Sequence, residues 1–493
     1  MAVRTLKNYI GGKWVAASRR EMADNINPAT GGLICRAPRS TRADTRKAIS
    51  AAATAFKKWR LVPAPRRGEI LYKAARLLEE HKEELARALT TEMGKVIAEA
   101  RGDVQEAIDV AYYMAGEGRR WFGQTTPSEM PDKSTMSVRC PYGVAGIITP
   151  WNFPVAIPAW KMMPALVCGN TVVLKPATDT PLTAFMFVRV LEQAGIPPGV
   201  VNLVFGPGGE IGRELCTSEA VKVIGFTGSV ETGRDIDMAA APYNKIVSKE
   251  MGGKNAIIVM EDAALDLAVD GIIWSAFGTS GQRCTAASRV IVHRKVVKKL
   301  AEKLLKRTKA LRLGDGLNRN TDIGPVINRN SLEKIHSFVE IGVKEGAKLL
   351  CGGEIATRGA LRKGFFYKPT IFANVHPEMR IAQEEIFGPV TDIIAVRSLE
   401  EAIRVSNGVR YGLSASIFTA DVNRAFAAMR DLDTGLVYIN HGTIGAEVHL
   451  PFGGWRASGN GHRDSGTPAL DIYSQWKTIY VDFSGRLQRA QID

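Results

Sequence analysis

Apolar residues recur at helical spacing through the first third of the chain, after a short polar entry. Thr45 to Arg60 forms an Ala-rich amphipathic pattern. From Arg66 to Thr91, Ile70, Leu71, Ala74, Leu77 and Leu78 fall on one stripe, as in a helix packed on one side. A further helix is predicted from about Val104 to Trp121, after which Gly123, Pro127 and Pro131 end regular structure. From Gly143 the pattern changes to short β-branched runs. Strands are predicted at Val144 to Thr149, Thr171 to Leu174, Val200 to Phe205, Val221 to Phe226 and Ala256 to Val259. Between them lie helical patterns at Ile157 to Cys168, Pro181 to Ala194 and Val230 to Ala241. This alternation predicts a parallel sheet with helices on both faces, and such sheets bind ligands at the carboxyl ends of their strands.

The later half repeats the theme. Its predicted strands are Arg289 to His293, Thr391 to Val396, Ala415 to Thr419 and Leu436 to Asn440, and its helices Lys295 to Arg312, Ser331 to Glu345 and Val422 to Asp431. A last strand-like run, Lys477 to Phe483, stands alone near the end. A lone strand is not stable, so it must complete some sheet edge, a second subunit's being one option.

Length and composition narrow the classes. The 493 residues exceed what one hydrophobic core usually serves, so two or more domains are expected. With 45% hydrophobic and 23% charged residues, the chain is neither disordered, collagen-like nor a coiled coil. The net charge of +15 favours anionic partners, but no C₂H₂ pattern, RNP-like strand or long basic run points to nucleic acid. Cys35, Cys140, Cys168, Cys216, Cys284 and Cys351 form no C-x-x-C pair, so neither a metal site nor a disulfide framework is expected, and a reducing compartment is. No apolar signal segment opens the chain, and prolines, Asn152 and Lys161 interrupt its greasiest stretch, Val144 to Val167. The expectation is a soluble, cytoplasmic protein with no membrane partner.

Four fragments are candidates for chemistry. Cys284 lies among small residues in Ser280-Gly281-Gln282-Arg283-Cys284-Thr285, where it is either a nucleophile whose pKa neighbouring cations depress or a small buried hydrophobe. Asn152, in Thr149-Pro150-Trp151-Asn152-Phe153-Pro154 at a strand end, either donates to an oxyanion or ties up its loop. Gly225-Phe226-Thr227-Gly228-Ser229 opens a helix whose backbone N–H groups suit a phosphate, although such turns also occur without ligands. Glu250, beside Gly252-Gly253, is either a partly desolvated general base or a solvated loop acid, and Glu385 shares that ambiguity.

In series, these fragments resemble the aldehyde dehydrogenase superfamily over nearly the whole chain. The shared signatures are Pro150-Trp151-Asn152-Phe153-Pro154, Lys175-Pro176-Ala177, Gly225-Phe226-Thr227-Gly228-Ser229, Glu250-Met251-Gly252-Gly253-Lys254, Gly281-Gln282-Arg283-Cys284, Glu384-Glu385-Ile386-Phe387-Gly388-Pro389 and Pro451-Phe452-Gly453-Gly454. The resemblance implies an α/β fold of two Rossmann-like domains plus a small β oligomerisation element. The cofactor-binding domain would be residues 1–118 with 142–252 and the catalytic domain 253–452. The oligomerisation element would be 119–141 with 468–493, and 453–467 would return to the cofactor-binding domain. It implies a homodimer or homotetramer, with the last strand joining a sheet in the partner subunit.

The resemblance also implies roles. Cys284 would attack the aldehyde to form a thiohemiacetal, Asn152 and the Cys284 backbone N–H would hold the oxyanion, and Glu250 would activate water against the resulting thioester. Thr149, Trp151, Lys175, Ala177, Thr178, Gly206, Thr227, Gly228, Ser229, Glu385 and Phe387 would contact NADP or NAD. NAD-preferring members often carry a glutamate three residues after the lysine, where this chain has Thr178, so NADP is favoured. Phe153, Trp160, Arg283, Thr285 and Phe452 would line the substrate tunnel. Arg283 and the Arg119-Arg120 pair are candidates to grip a distal carboxylate, unless they are solvated surface charges. The aldehyde would be small and aliphatic or a semialdehyde such as 2,5-dioxopentanoate. The C-terminal motif departs from the family pattern at Gly459-Asn460-Gly461-His462-Arg463-Asp464, so Asp464 is given no catalytic role. The alternatives are a CoA-acylating semialdehyde dehydrogenase and a non-catalytic basic scaffold.

Overall fold

The computed structural model describes residues 4–492; the outer ends of the first and last expected segments, residues 1–3 and 493, lie outside the described residues. Two seven-stranded sheets dominate. In the first, Ile246–Met251, Val221–Gly228, Val144–Ile148, Thr171–Lys175 and Val201–Leu203 run parallel in that spatial order, extended by antiparallel Asn8–Ile10 and Lys13–Val15. In the second, antiparallel Lys348–Cys351 edges six parallel strands: Thr370–Ala373, Val390–Val396, Ala287–His293, Asn255–Val259, Ser414–Phe418 and Leu436–Ile439. Central strands such as Val144–Ile148 and Asn255–Val259 are buried along their whole length, as expected of parallel strands covered on both faces. Val172, Leu174, Phe187 and Leu191 lie in one core cluster, and Ile257, Val290 and Val292 in another.

The predicted α/β rhythm holds, with differences that have physical causes. The entry segment is not merely polar: it forms short strands, among them Met22–Ile26 paired with Leu33–Pro38. The continuous helix expected over Arg66 to Thr91 is two, Ala64–Glu80 and Lys82–Met93, broken at His81. Regular structure does not end at Gly123. Gln124–Pro127 and Lys133–Pro141 are strands that show no apolar alternation, because one is exposed along its length and the other only partly covered. The terminal strand, Ser474–Asp482, completes this sheet within its own chain, pairing antiparallel with Lys133–Pro141 from Ser474↔Pro141 to Asp482↔Lys133. Its other edge carries no pairing among the described residues, and it leaves Trp476, Tyr480 and Val481 exposed.

Candidate active site

The nucleophile loop is built by backbone geometry that only a few residue types tolerate. Helix Leu265–Phe277 ends, and Thr279, Ser280 and Gly281 follow in the left-handed region at φ 51°, 55° and 69°. A Cβ at Gly281 would lie 2.1 Å from the Gly388 carbonyl oxygen, so glycine is required there. Glu99 accepts the Thr279 N–H at 2.9 Å, and the Ser280 hydroxyl donates to the Gly324 carbonyl at 2.8 Å. The chain then delivers Cys284, partly exposed, into a narrow chamber of about 130 Å³.

Glu250, Thr227, Phe153, Trp160, Thr285, Arg283 and Phe452 line the same chamber, with Trp160 and Phe452 ring centroids 4.7 Å apart. Asn152 is buried in the turn after Val144–Ile148, and its amide Nδ2 donates to the Gln282 carbonyl at 3.1 Å, two residues before the sulfur. A side-chain amide carries two N–H donors, so one remains for an oxyanion. Glu250 is not a loop acid. It sits on the edge strand Ile246–Met251, buried, with Oε2 accepting the Gly454 N–H at 3.0 Å and Oε1 without a partner. A Cβ at Gly453 would lie 2.5 Å from Oε1, so the glycine pair of the return segment leaves room for this carboxylate.

Electrostatics differ from the expected depressed thiol. Burial pushes Cys284 up to about 12, and the charges of Glu385 and Glu250 push the same way. Arg283, the cation next in sequence, is turned away: its guanidinium pairs with Glu99 at 2.9 Å and donates to the Thr279 hydroxyl at 2.9 Å. Burial, and then the charge of Asp464, raise Glu250 well above the carboxylate range, while Lys161 and the Gly454 N–H oppose them. Asp464, set aside in the sequence reading, lines the chamber and accepts from the Lys161 ammonium at 2.6 Å, both groups buried. Lys161 itself carried a signal that was overlooked, because it is the only charge in the wholly buried helix Ala156–Cys168.

A cleft of about 870 Å³ opens at the carboxyl ends of the first sheet's strands, and Thr149, Trp151, Lys175, Ala177, Thr178 and Gly206 all line it. Burial pulls Lys175 down to about 8, and its ammonium donates to the Pro176 carbonyl at 2.7 Å. The buried Thr149 and Thr227 hydroxyls have no protein partner. Thr149 lines the cleft and Thr227 the chamber; a cleft of this size with the unpaired Thr149 hydroxyl and a buried lysine fits a dinucleotide. Gly228 ends its strand, and Ser229 caps the helix Val230–Ala240, its hydroxyl accepting the Thr232 N–H at 3.2 Å. Glu385 and Phe387 do not line the cleft itself. Phe387 meets Trp151 edge-on at 5.4 Å, and Glu385 accepts the Gly253 N–H at 2.9 Å, beside the thiol. A Cβ at Gly252 would lie 2.1 Å from that carboxylate. Arg119 and Arg120 line neither cavity. They pair with Glu69 and Glu117 near the end of helix Ile97–Glu117, so they are surface charges.

Residues 14–479 match the model of the aldehyde dehydrogenase family. The chain belongs to that family. This aldehyde dehydrogenase is 44% identical to the alpha-ketoglutaric semialdehyde dehydrogenase of Bacillus subtilis, over 97% of this chain and 98% of the relative. It is 38% identical to the 2,5-dioxopentanoate dehydrogenase of Saccharolobus solfataricus, over 96% and 99%. Among solved structures, betaine aldehyde dehydrogenase from Staphylococcus aureus in complex with NAD⁺ superposes with a TM-score of 0.96 at 35% identity, over 98% of this chain and 96% of that one. The Rossmann-like α/β architecture expected from sequence is therefore the fold. No helix among the described residues is long and apolar enough to cross a membrane.

Proposed function

We propose that this aldehyde dehydrogenase oxidises a carboxylated aldehyde, of which 2,5-dioxopentanoate is the model, to the acid, with NADP favoured over NAD. The observation that carries the reading is the single chamber in which Cys284, Glu250 and Arg283 meet beside the Asn152 turn. The Cys284 sulfur bonds to the carbonyl carbon as the thiol proton passes to water and the C=O π pair moves onto the oxygen. Asn152 Nδ2 and the Cys284 N–H receive the oxyanion. Lys175, Thr149 and the Thr227–Ser229 turn would hold the dinucleotide, which when bound would accept the hydride as the oxyanion collapses and the C–H bond breaks to leave the thioester. Glu250 then takes a proton from water, the water oxygen bonds to the thioester carbon, and the C–S bond breaks to return the thiol. A buried carboxylate raised above its ordinary range suits such a base, which favours hydrolysis over transfer to CoA. Arg283 is the group in the chamber that can pair with a distal carboxylate.

The NADP preference rests on Thr178, exposed at the cleft where a glutamate would repel a 2′-phosphate, with Lys175, Arg39 and Arg329 also lining it. The same reading takes the sheet of residues 124–141 and 474–482 as the oligomerisation element of a dimer or tetramer, with the domain limits given above. It sets the protein in the reducing cytoplasm, consistent with six unpaired cysteines. The test is a panel of carboxylated, uncharged and aromatic aldehydes with each dinucleotide, without CoA. Acid formation led by the carboxylated members and by NADP is expected. A strict CoA requirement, or a large NAD preference, would overturn the corresponding part.

A further inference from the structure

Between the chamber and the outside lies a vestibule lined by Glu99, Asp103, Glu106, Asp109, Trp274 and Glu447 among others. Its charges are mostly spoken for. Asp103 pairs with the buried Lys95 at 3.0 Å, Glu99 with Arg283 at 2.9 Å, and Glu447 with His449 at 3.3 Å. Asp109 accepts from the Gln105 amide at 2.8 Å. Glu106 is different. It is the acid that lines both the vestibule and the chamber holding Cys284, and no hydrogen bond holds its carboxyl among the described residues. It therefore stands where the far end of a substrate must lie when the aldehyde reaches the sulfur, with Arg283 lining the same two cavities.

Resting on the substrate reading above, we propose that Glu106 is a specificity-determining residue: uncharged, it joins Arg283 in binding the distal carboxylate of the aldehyde, and charged, it rejects that carboxylate. A neutral carboxyl donates its O–H to a carboxylate, and an ionised one can only repel it. The groups facing Glu106 are Asp103 and Asp109 on its own helix and Lys95 just before it. Arg283 faces it from the nucleophile loop, Tyr438 from the last strand of the second sheet, and Glu447 and His449 from the segment beyond. Burial, then Asp103, push its carboxyl up to about 8 against the pull of Arg283 and Lys95. At neutral pH the uncharged form dominates, and the acid loses its proton as pH rises through that value.

The experiment measures kcat/KM from about pH 6 to about pH 10 for 2,5-dioxopentanoate, pentanal and an aminoaldehyde of similar length, and reads the ratio of the first to the second. The ratio cancels the titration of Cys284 and Glu250, which both substrates share. In the native protein it should fall by up to about tenfold per pH unit above about pH 8. In Glu106→Gln, which keeps a donor and carries no charge, it should stay within about threefold over the range. A native ratio independent of pH, or one falling in Glu106→Gln as in the native protein, overturns the proposal. An aminoaldehyde that gains on pentanal as pH rises through about 8 supports it, because the ionised carboxyl attracts an ammonium, and one that loses ground there overturns it. If the carboxylated aldehyde is favoured at no pH, the substrate reading itself fails; if it is favoured with a flat ratio, only the role of Glu106 does.

Discussion

The resting thiol gives the sharpest prediction. With Cys284 at about 12, only about one sulfur in 10⁵ is ionised at pH 7, and each unit of pH raises that fraction tenfold. Alkylation of Cys284 by iodoacetamide, followed by peptide mapping so that the partly exposed Cys140 and Cys351 are counted separately, should rise log-linearly with pH without a plateau up to about pH 10. Glu385→Gln removes one of the two negative charges that push the thiol up, so labelling at pH 9–10, where a carboxylate there is ionised, should be faster than in the native protein by about threefold to thirtyfold. The gain stays below the full displacement because burial, the larger cause, is untouched. The same shift sets a stability trend. The unfolded chain releases this proton near about pH 8.5 and the folded chain holds it to about 12, so this group's contribution is present below the first value and is lost as pH rises beyond it. A labelling plateau between pH 7 and 8 would mean a thiolate at rest and would refute the reasoning.

Asn152→Ala removes a donor aimed at the nucleophile loop and should lower kcat by about 10²–10³, measured with saturating aldehyde and dinucleotide. Lys161→Met strips the partner from a buried aspartate and should cost about 3–5 kcal/mol, seen as a thermal midpoint several degrees lower; pairing it with Asp464→Leu should recover most of the loss. Tyr480→Lys with Val481→Lys places charge on the exposed terminal strand and should shift the mass by light scattering to a smaller assembly; an unchanged mass would remove that sheet from the subunit contact.

The parallel strands were legible because burial on both faces leaves uninterrupted β-branched runs, as in Val144–Ile148 and Val390–Val396. The Gln124–Pro127 and Lys133–Pro141 strands were not, because the first is exposed, the second is only partly covered, and polar residues occupy both faces. Ile246–Met251 was missed for another reason. It shows no apolar alternation, with three polar residues in a row, and its Ser248, Lys249 and Glu250 are buried beside the return segment, whose Ser458 carbonyl accepts the Met251 N–H at 2.8 Å from more than 200 residues away. No local pattern reports a contact so distant. Cys284 and Asn152 stood out as candidates because their motifs lie in short turns between elements, and Glu250 because it precedes Gly252-Gly253 at the end of its strand. Asp464 was not, since its significance comes from facing Lys161 and Glu250 across the chamber.

The acids around the sulfur share one displacement. Glu250, Glu385 and Glu106 are all pushed up chiefly by burial, as is the thiol between them. If all were ionised, the Glu250 and Glu106 carboxylates would share the chamber with a thiolate, Glu385 would stand close by, and Lys161 and Arg283 are already paired elsewhere. Low dielectric makes that arrangement costly, which is the direction in which burial moves each of these groups. Charging Cys284 beside Glu250 is therefore easier once something brings positive charge or a proton acceptor into the chamber. An oxidised nicotinamide ring carries that charge, so the geometry favours a sulfur that becomes reactive once the dinucleotide is seated. The chain sets the thiol close to Glu385 and directs Arg283 to Glu99 rather than to the sulfur, which leaves that charge to be supplied from outside the chain.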